Sequence, residues 1–251
     1  MLNVERNSLS GKIPAEIRDA LTLTSLNLGF NRFVGGVPLG IFDLPDLENL
    51  QLNGNELTGT IPFEISRASK LTSLGMGPNF FTGSIQSTIS QMSNLVELTI
   101  AGTGVTGSIP TFFGALPRLE KLNLSGNSLG FEMPVELSDI TTLQELRLND
   151  NMLTGRVPVE FSKLTSLGKY RWPDSADPTF LLRYSQLFSP FRFLVVILTL
   201  DGNLLGGAVN TAVCELRNGV LDEFKVDCRS LINGTSGGVA CGTPTCCSSC
   251  R

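Results

Sequence analysis

The chain has 251 residues, a hydrophobic fraction of 41% and a formal net charge of −4. That balance provides no basic field for nucleic acid or an anionic membrane surface. Histidine, the commonest acid–base group and metal ligand, does not occur, and all six cysteines lie between Cys214 and Cys250.

Apolar pairs two residues apart recur every 24 residues: Leu2/Val4, Leu26/Leu28, Leu50/Leu52, Leu74/Met76, Leu98/Ile100, Leu122/Leu124 and Leu146/Leu148, then Leu198/Leu200 after a gap. Self-similarity at this period marks a solenoid whose units touch only their neighbours, so the array is one elongated domain. About eight units are predicted over residues 1–213. In the third, Leu50 and Leu52 alternate with Gln51 and Asn53, the period-two pattern of a half-buried strand. Strands one period apart would stack in parallel, ~4.8 Å apart.

Each strand runs into an asparagine: Asn7, Asn31, Asn55, Asn79, Asn127, Asn151 and Asn203. An amide has both a donor and an acceptor, so such a ladder can satisfy the backbone groups of a turning chain. Thr103 takes this place in the fifth unit and predicts a weaker turn. A glycine column follows (Gly11, Gly35, Gly59, Gly83, Gly107, Gly155 and Gly207), broken by Phe131. Next comes an apolar–proline step: Ile13-Pro14, Val37-Pro38, Ile61-Pro62, Ile109-Pro110, Met133-Pro134 and Val157-Pro158, with Gln86 and Asn210 replacing proline in two units. Proline fixes φ and suits the opening of a short helical segment. Ile65, Ala68 and Leu71 then have the spacing of a 3₁₀-like turn facing the core.

Together these columns resemble the plant-type leucine-rich repeat over about residues 1–167 and 198–213. The resemblance implies an α/β solenoid: a right-handed horseshoe with a concave parallel sheet, short 3₁₀ or helical convex segments and, commonly, a second lateral sheet. Members of that family include receptor-kinase ectodomains, receptor-like proteins and inhibitors of cell-wall-degrading enzymes.

Thirty residues stand between Leu167 and Leu198 where two are expected. The insert at 168–197 follows no repeat logic. We read it as a retained intron: its surplus of 28 residues is in frame, and Gly168-Lys169-Tyr170 is what a splice-donor-like stretch encodes. A ligand-binding island loop is the alternative. A membrane span is disfavoured because Leu194–Leu200 is short and Arg192 interrupts it. Residues 214–251 read as a Cys-rich cap and tail, with one last strand expected around Phe224 and Val226. The tail is similar to that of secreted algal leucine-rich repeat proteins. Disulfides are expected among Cys214, Cys228, Cys241, Cys246, Cys247 and Cys250, with Cys214–Cys228 favoured by proximity; six cysteines allow 15 pairings. A zinc site at the last four is disfavoured because adjacent cysteines suit tetrahedral metal poorly, so no metal is expected. The cysteine cluster points to an oxidising compartment, hence the cell surface or exterior. Sequons at Asn123 and Asn233 are candidate glycosylation sites. With no leader or N-terminal capping unit visible before Leu2, the chain reads as a fragment of a longer secreted protein.

On the concave face, charge gathers in units five to seven. The candidate ligand contacts are Glu97, Thr99, Lys121, Asn123, Glu145, Arg147, Asn149 and Asp150, with Phe30 the one aromatic on the rim. A merely solvated face is the competing reading. No nucleophile–base pair or phosphate loop occurs, so neither catalysis nor a cofactor is expected. The expected function is recognition of a peptide or protein; the alternative is inhibition of a secreted polysaccharide-degrading enzyme, with polysaccharide a possible partner.

Overall fold

The structure, a computed structural model, describes residues 1–164, Asn203 and the strands Ile197–Thr199, Gly207–Ala208, Glu223–Lys225 and Val239–Ala240. The insert reading, the cysteine pairings, the zinc alternative and the Asn233 sequon fall outside the described residues, as does the side chain of Val226.

The alternating segments form the concave sheet. Its nine parallel strands are Leu2–Asn3, Ser25–Asn27, Asn49–Gln51, Ser73–Gly75, Glu97–Thr99, Lys121–Asn123, Glu145–Arg147, Ile197–Thr199 and Glu223–Lys225, each beside the next in the chain. The register puts Leu26 opposite Leu50, Leu50 opposite Leu74, Leu74 opposite Leu98, Leu98 opposite Leu122 and Leu122 opposite Leu146. All six are buried. Each such side chain contributes roughly 1.5–3 kcal/mol relative to exposure, and the row supplies one wall of a continuous core. Leu146 is next opposite Leu198, and Leu198 opposite Phe224, so the period resumes beyond the insert and the expected last strand is present.

The asparagines join turn to turn. Asn55 donates through Nδ2 to the Leu52 carbonyl in its own turn and to the Leu28 carbonyl in the preceding one, while its Oδ1 accepts the Phe33 N–H. Asn31, Asn79 and Asn151 repeat this pattern. Asn203 continues it across the insert, accepting the Leu153 N–H at 3.0 Å and donating to the Leu148 carbonyl at 2.9 Å.

A second, lateral ladder lies beside the first. Ser10–Lys12, Arg32–Gly35, Glu56–Thr60 and Phe80–Thr82 form one parallel sheet, and Thr106–Ser108, Ser128–Glu132 and Met152–Thr154 another. The division between them falls at Thr103. There the Asn127 Oδ1 accepts the Thr103 N–H and hydroxyl instead of the N–H of Val105, the residue that its register predicts. No asparagine stands 22 residues after Phe81 to accept its N–H, as Asn79 does for Leu57. Two backbone hydrogen bonds still cross the division, from the Gly104 and Thr106 N–H groups to the Phe81 and Gly83 carbonyls, so Thr103 interrupts the amide ladder more than the lateral strands. Phe131, the exception in the glycine column, keeps the left-handed backbone of its column at φ 66°. The tertiary ladder, not side-chain preference, sets that conformation.

On the convex side the apolar–proline steps open 3₁₀ turns at Ala15–Asp19, Leu39–Asp43, Phe63–Arg67, Ser87–Gln91, Thr111–Ala115, Val135–Asp139 and Val159–Lys163. Gln86 holds φ −79° and ψ 140°, close to the φ −66° and ψ 140° of Pro62. Ile65, Ala68 and Leu71 are buried, as their spacing predicts.

Replacing Asn55 by Ala takes one of two amide donors from each of the Leu28 and Leu52 carbonyls, which keep Asn31 and Asn79, and orphans the buried Phe33 N–H; it should cost about 2 kcal/mol. Asn7→Ala, at an exposed position, should cost under ~1 kcal/mol. Urea unfolding midpoints of the two variants check the difference.

Candidate functional site

The outward residues of the concave strands form a lane of polar groups set by the strand register. Gln51 donates through Nε2 to the Ser73 Oγ at 3.0 Å, and that hydroxyl donates to the Glu97 Oε2 at 3.3 Å. The Lys121 Nζ lies 3.9 Å from the Glu97 Oε1. Lys121 is also in register with Glu145, whose carboxylate accepts a hydrogen bond from the Arg147 Nε. Lys121 therefore stands between two glutamates, which lie one strand to either side of it. Thr99, Asn123 and Arg147 make the adjacent column of the same face.

The remaining candidates occupy the rim. The Asn123 Oδ1 accepts from the Ser125 N–H and hydroxyl, so the half-buried sequon amide already closes a local turn. Asn149 donates to the Asp150 carboxylate at 2.6 Å, and Asp150 holds φ 54° in the repeat position where Gly54, Gly102 and Gly126 stand. Phe30, at the same position, has the Arg6 guanidinium 5.0 Å from its ring centroid, so one face of the only predicted rim aromatic is covered.

Two features escape a residue-by-residue reading. The Ser73 hydroxyl bridges an amide and a carboxylate from strands on either side, which depends on rotamers. Asn53 has its Oδ1 buried without a partner, beside Gly29 and Gly75. A Cβ at Gly75 would fall 2.1 Å from the Gln51 Oε1 and push that side chain aside, while at Gly77 it would fall 1.7 Å from the Ala101 carbonyl oxygen, which the backbone cannot yield. The signal available in the sequence was the run of small residues at Gly29, Gly75 and Gly77 around a lone amide.

The only titration shift to note lies away from this face. The Lys70 ammonium, on the convex side, is raised above the usual lysine value by its hydrogen bond to Asp46 and by the charge of that carboxylate. Any stability from this exposed pair is complete below lysine's ordinary pKa and lost as pH rises through the raised value. Among the described residues no group of three or more metal-ligating side chains occurs, and no helix is long and apolar enough to cross a membrane.

Models of the leucine-rich repeat family match residues 46–68 and 93–153. The chain is a plant-type leucine-rich repeat protein. It resembles receptor ectodomains. The structure of a TDR receptor is 28% identical, with a TM-score of 0.75 over 89% of this chain and 34% of that one. The Arabidopsis receptor kinase HAESA, solved with the peptide hormone IDA and the co-receptor SERK1, is 30% identical, with a TM-score of 0.70 over 88% of this chain and 32% of that one. A plant ice-binding protein is 25% identical, with a TM-score of 0.57 over 83% of this chain and 66% of that one. This leucine-rich repeat chain thus spans about a third of the length of the receptor structures it matches. No curated protein matches it.

Because Lys121 is a third exposed and its Nζ lies 3.9 Å from the Glu97 Oε1, that ion pair adds little to stability. Lys121→Gln should shift the unfolding free energy by less than ~1 kcal/mol, measured by urea titration. A larger loss would make the lane a structural device.

Proposed function

We propose that this chain is an extracellular recognition module that holds an extended peptide or protein segment on its concave face. The observation behind this reading is the lane from Gln51 through Ser73 and Glu97 to Lys121, ending at Glu145 and Arg147. Hydrogen-bonding groups of both signs there stand on a sheet whose backbone is fixed by its neighbours. A peptide crossing such a wall gives up little of the wall's own entropy, and alternating charges orient it. Glu97, Thr99, Lys121, Asn123, Glu145, Arg147, Asn149 and Asp150 are the contacts we assign. The likeness to HAESA, solved with a peptide hormone, supports a peptide; the likeness to ectodomains and the cysteine cluster support an extracellular site. The chain offers this face for binding, and we assign no catalytic residue to it. A glycan at Asn123 would narrow the same face.

The test is a screen of the full chain against a library of synthetic secreted-type peptides, followed by charge reversal. The double variant Lys121→Glu, Arg147→Glu should weaken binding of hits by ~10-fold or more, while Lys70→Glu on the convex side leaves it unchanged. Hits indifferent to the concave reversal would refute this assignment.

A second reading has its own observation. Thr58-Gly59-Thr60, Thr82-Gly83-Ser84 and Thr106-Gly107-Ser108 put six exposed hydroxyl side chains on or beside the lateral strands, with Thr60 in register with Thr82. Hydroxyls and methyls repeating at ~4.8 Å on a rigid β face form a regular template for water. The match to a plant ice-binding protein, over two-thirds of that protein, supports this use. Faceted ice crystals in nanolitre osmometry, rounded again by Thr82→Arg, are expected on this reading; rounded crystals with the unaltered chain contradict it.

A further inference from the structure

We infer that the groove between the lateral strand Glu56–Thr60 and the turn Phe63–Arg67 is a second binding site, one that takes an arginine side chain presented by a partner protein. The groove has a volume of about 360 Å³, and Thr58, Thr60, Phe63, Glu64 and Gln86 are among the residues that line it. No lysine or arginine lines it.

Glu64 is the reason. It is only 8% exposed, and among the described residues it makes no hydrogen bond or ion pair. Its carboxylate has no internal counter-charge, so the end it shows to the groove is matched by an incoming cation. Its equivalent one unit from the start, Glu16, is exposed, and Glu136 and Glu160 are only partly buried. Glu64 differs because glycine stands at Gly40 in the turn before it and Thr88 in the turn after it. The Thr88 Oγ1 is itself buried without a partner, so the stacked turn gives the carboxylate no internal donor.

The rim is built for the same occupant. Gln86 stands where the repeat has proline, and its Nε2 is turned to the Ser84 carbonyl at 3.3 Å, leaving its Oε1 as an acceptor. Phe63, 59% exposed, lines the same groove as Glu64. A guanidinium can stack on that ring while donating in pairs to the carboxylate, with Gln86 and the threonine hydroxyls taking its other N–H groups. A neutral sugar would leave the charge of Glu64 uncompensated. This site is independent of the concave face and survives the loss of that reading.

The test titrates N-acetyl-arginine N-methylamide into the full ¹⁵N-labelled chain, with the citrulline analogue as the neutral isostere and methyl β-glucoside as a third probe. The arginine probe should give saturable amide shifts confined to the Thr58–Gln86 region. Citrulline should bind at least ~10-fold more weakly, and Glu64→Gln should abolish the response. The double variant Lys121→Glu, Arg147→Glu should leave it intact, which separates this site from the concave one. Should Glu64→Gln fail to fold, the comparison of arginine with citrulline on the unaltered chain still decides. Equal response to citrulline, saturation by the glucoside instead, or no local shifts would overturn the inference.

Discussion

The whole architecture depends on one interaction: an asparagine amide that bonds its own turn and the turn before it at once. A solenoid turn bends the chain where neither sheet can satisfy the backbone, and a buried orphan carbonyl or N–H is expensive. Asn55 bonds three such groups across two units, sharing the Leu28 and Leu52 carbonyls with Asn31 and Asn79, and Asn31, Asn79 and Asn151 repeat the arrangement. The leucine row supplies the larger share of burial, yet burial alone tolerates slippage. The amide ladder sets the stagger of one coil on the next. Asn203 meets Leu148 and Leu153 despite the insert between them, so the same constraint re-establishes the register.

From that stagger the arrangement of both faces follows. Holding every strand at the same phase turns a column in the sequence into a row in space, and so Gln51, Ser73, Glu97 and Lys121 become a connected lane. The lateral strands are a by-product of the same phase, and they line up the threonines. Where Thr103 replaces the amide, the concave sheet continues unbroken, while the lateral strands are held across it by the Gly104 and Thr106 N–H groups. The concave lane is therefore insulated from the missing rung at Thr103.

Much of this was legible in the residues. Leu50 and Leu52 declare a strand by alternation, Pro62 opens its 3₁₀ turn, and Thr103 marks the weak turn, because each acts through its nearest neighbours in a periodic object. Phe131 was legible only as an exception: that it would keep a left-handed backbone follows from the strands around it. The side-chain links of the concave lane were not legible, since Ser73 joins Gln51 to Glu97 through rotamers that register alone does not choose. Glu64 was the least visible. It looks like Glu16, Glu136 and Glu160 in sequence, and only the residues stacked at Gly40 and Thr88 determine that it is buried. The one hint was Gln86 in a proline position.

The most direct measurement restores the missing rung. In Thr103→Asn, native-state hydrogen exchange should show the Phe81 and Val105 amides becoming more protected, together with a higher unfolding midpoint, as the new amide accepts the Phe81 N–H and frees the Asn127 Oδ1 for Val105. Unchanged exchange at both amides, or a less stable chain, would contradict the claim that the asparagine ladder sets the fold.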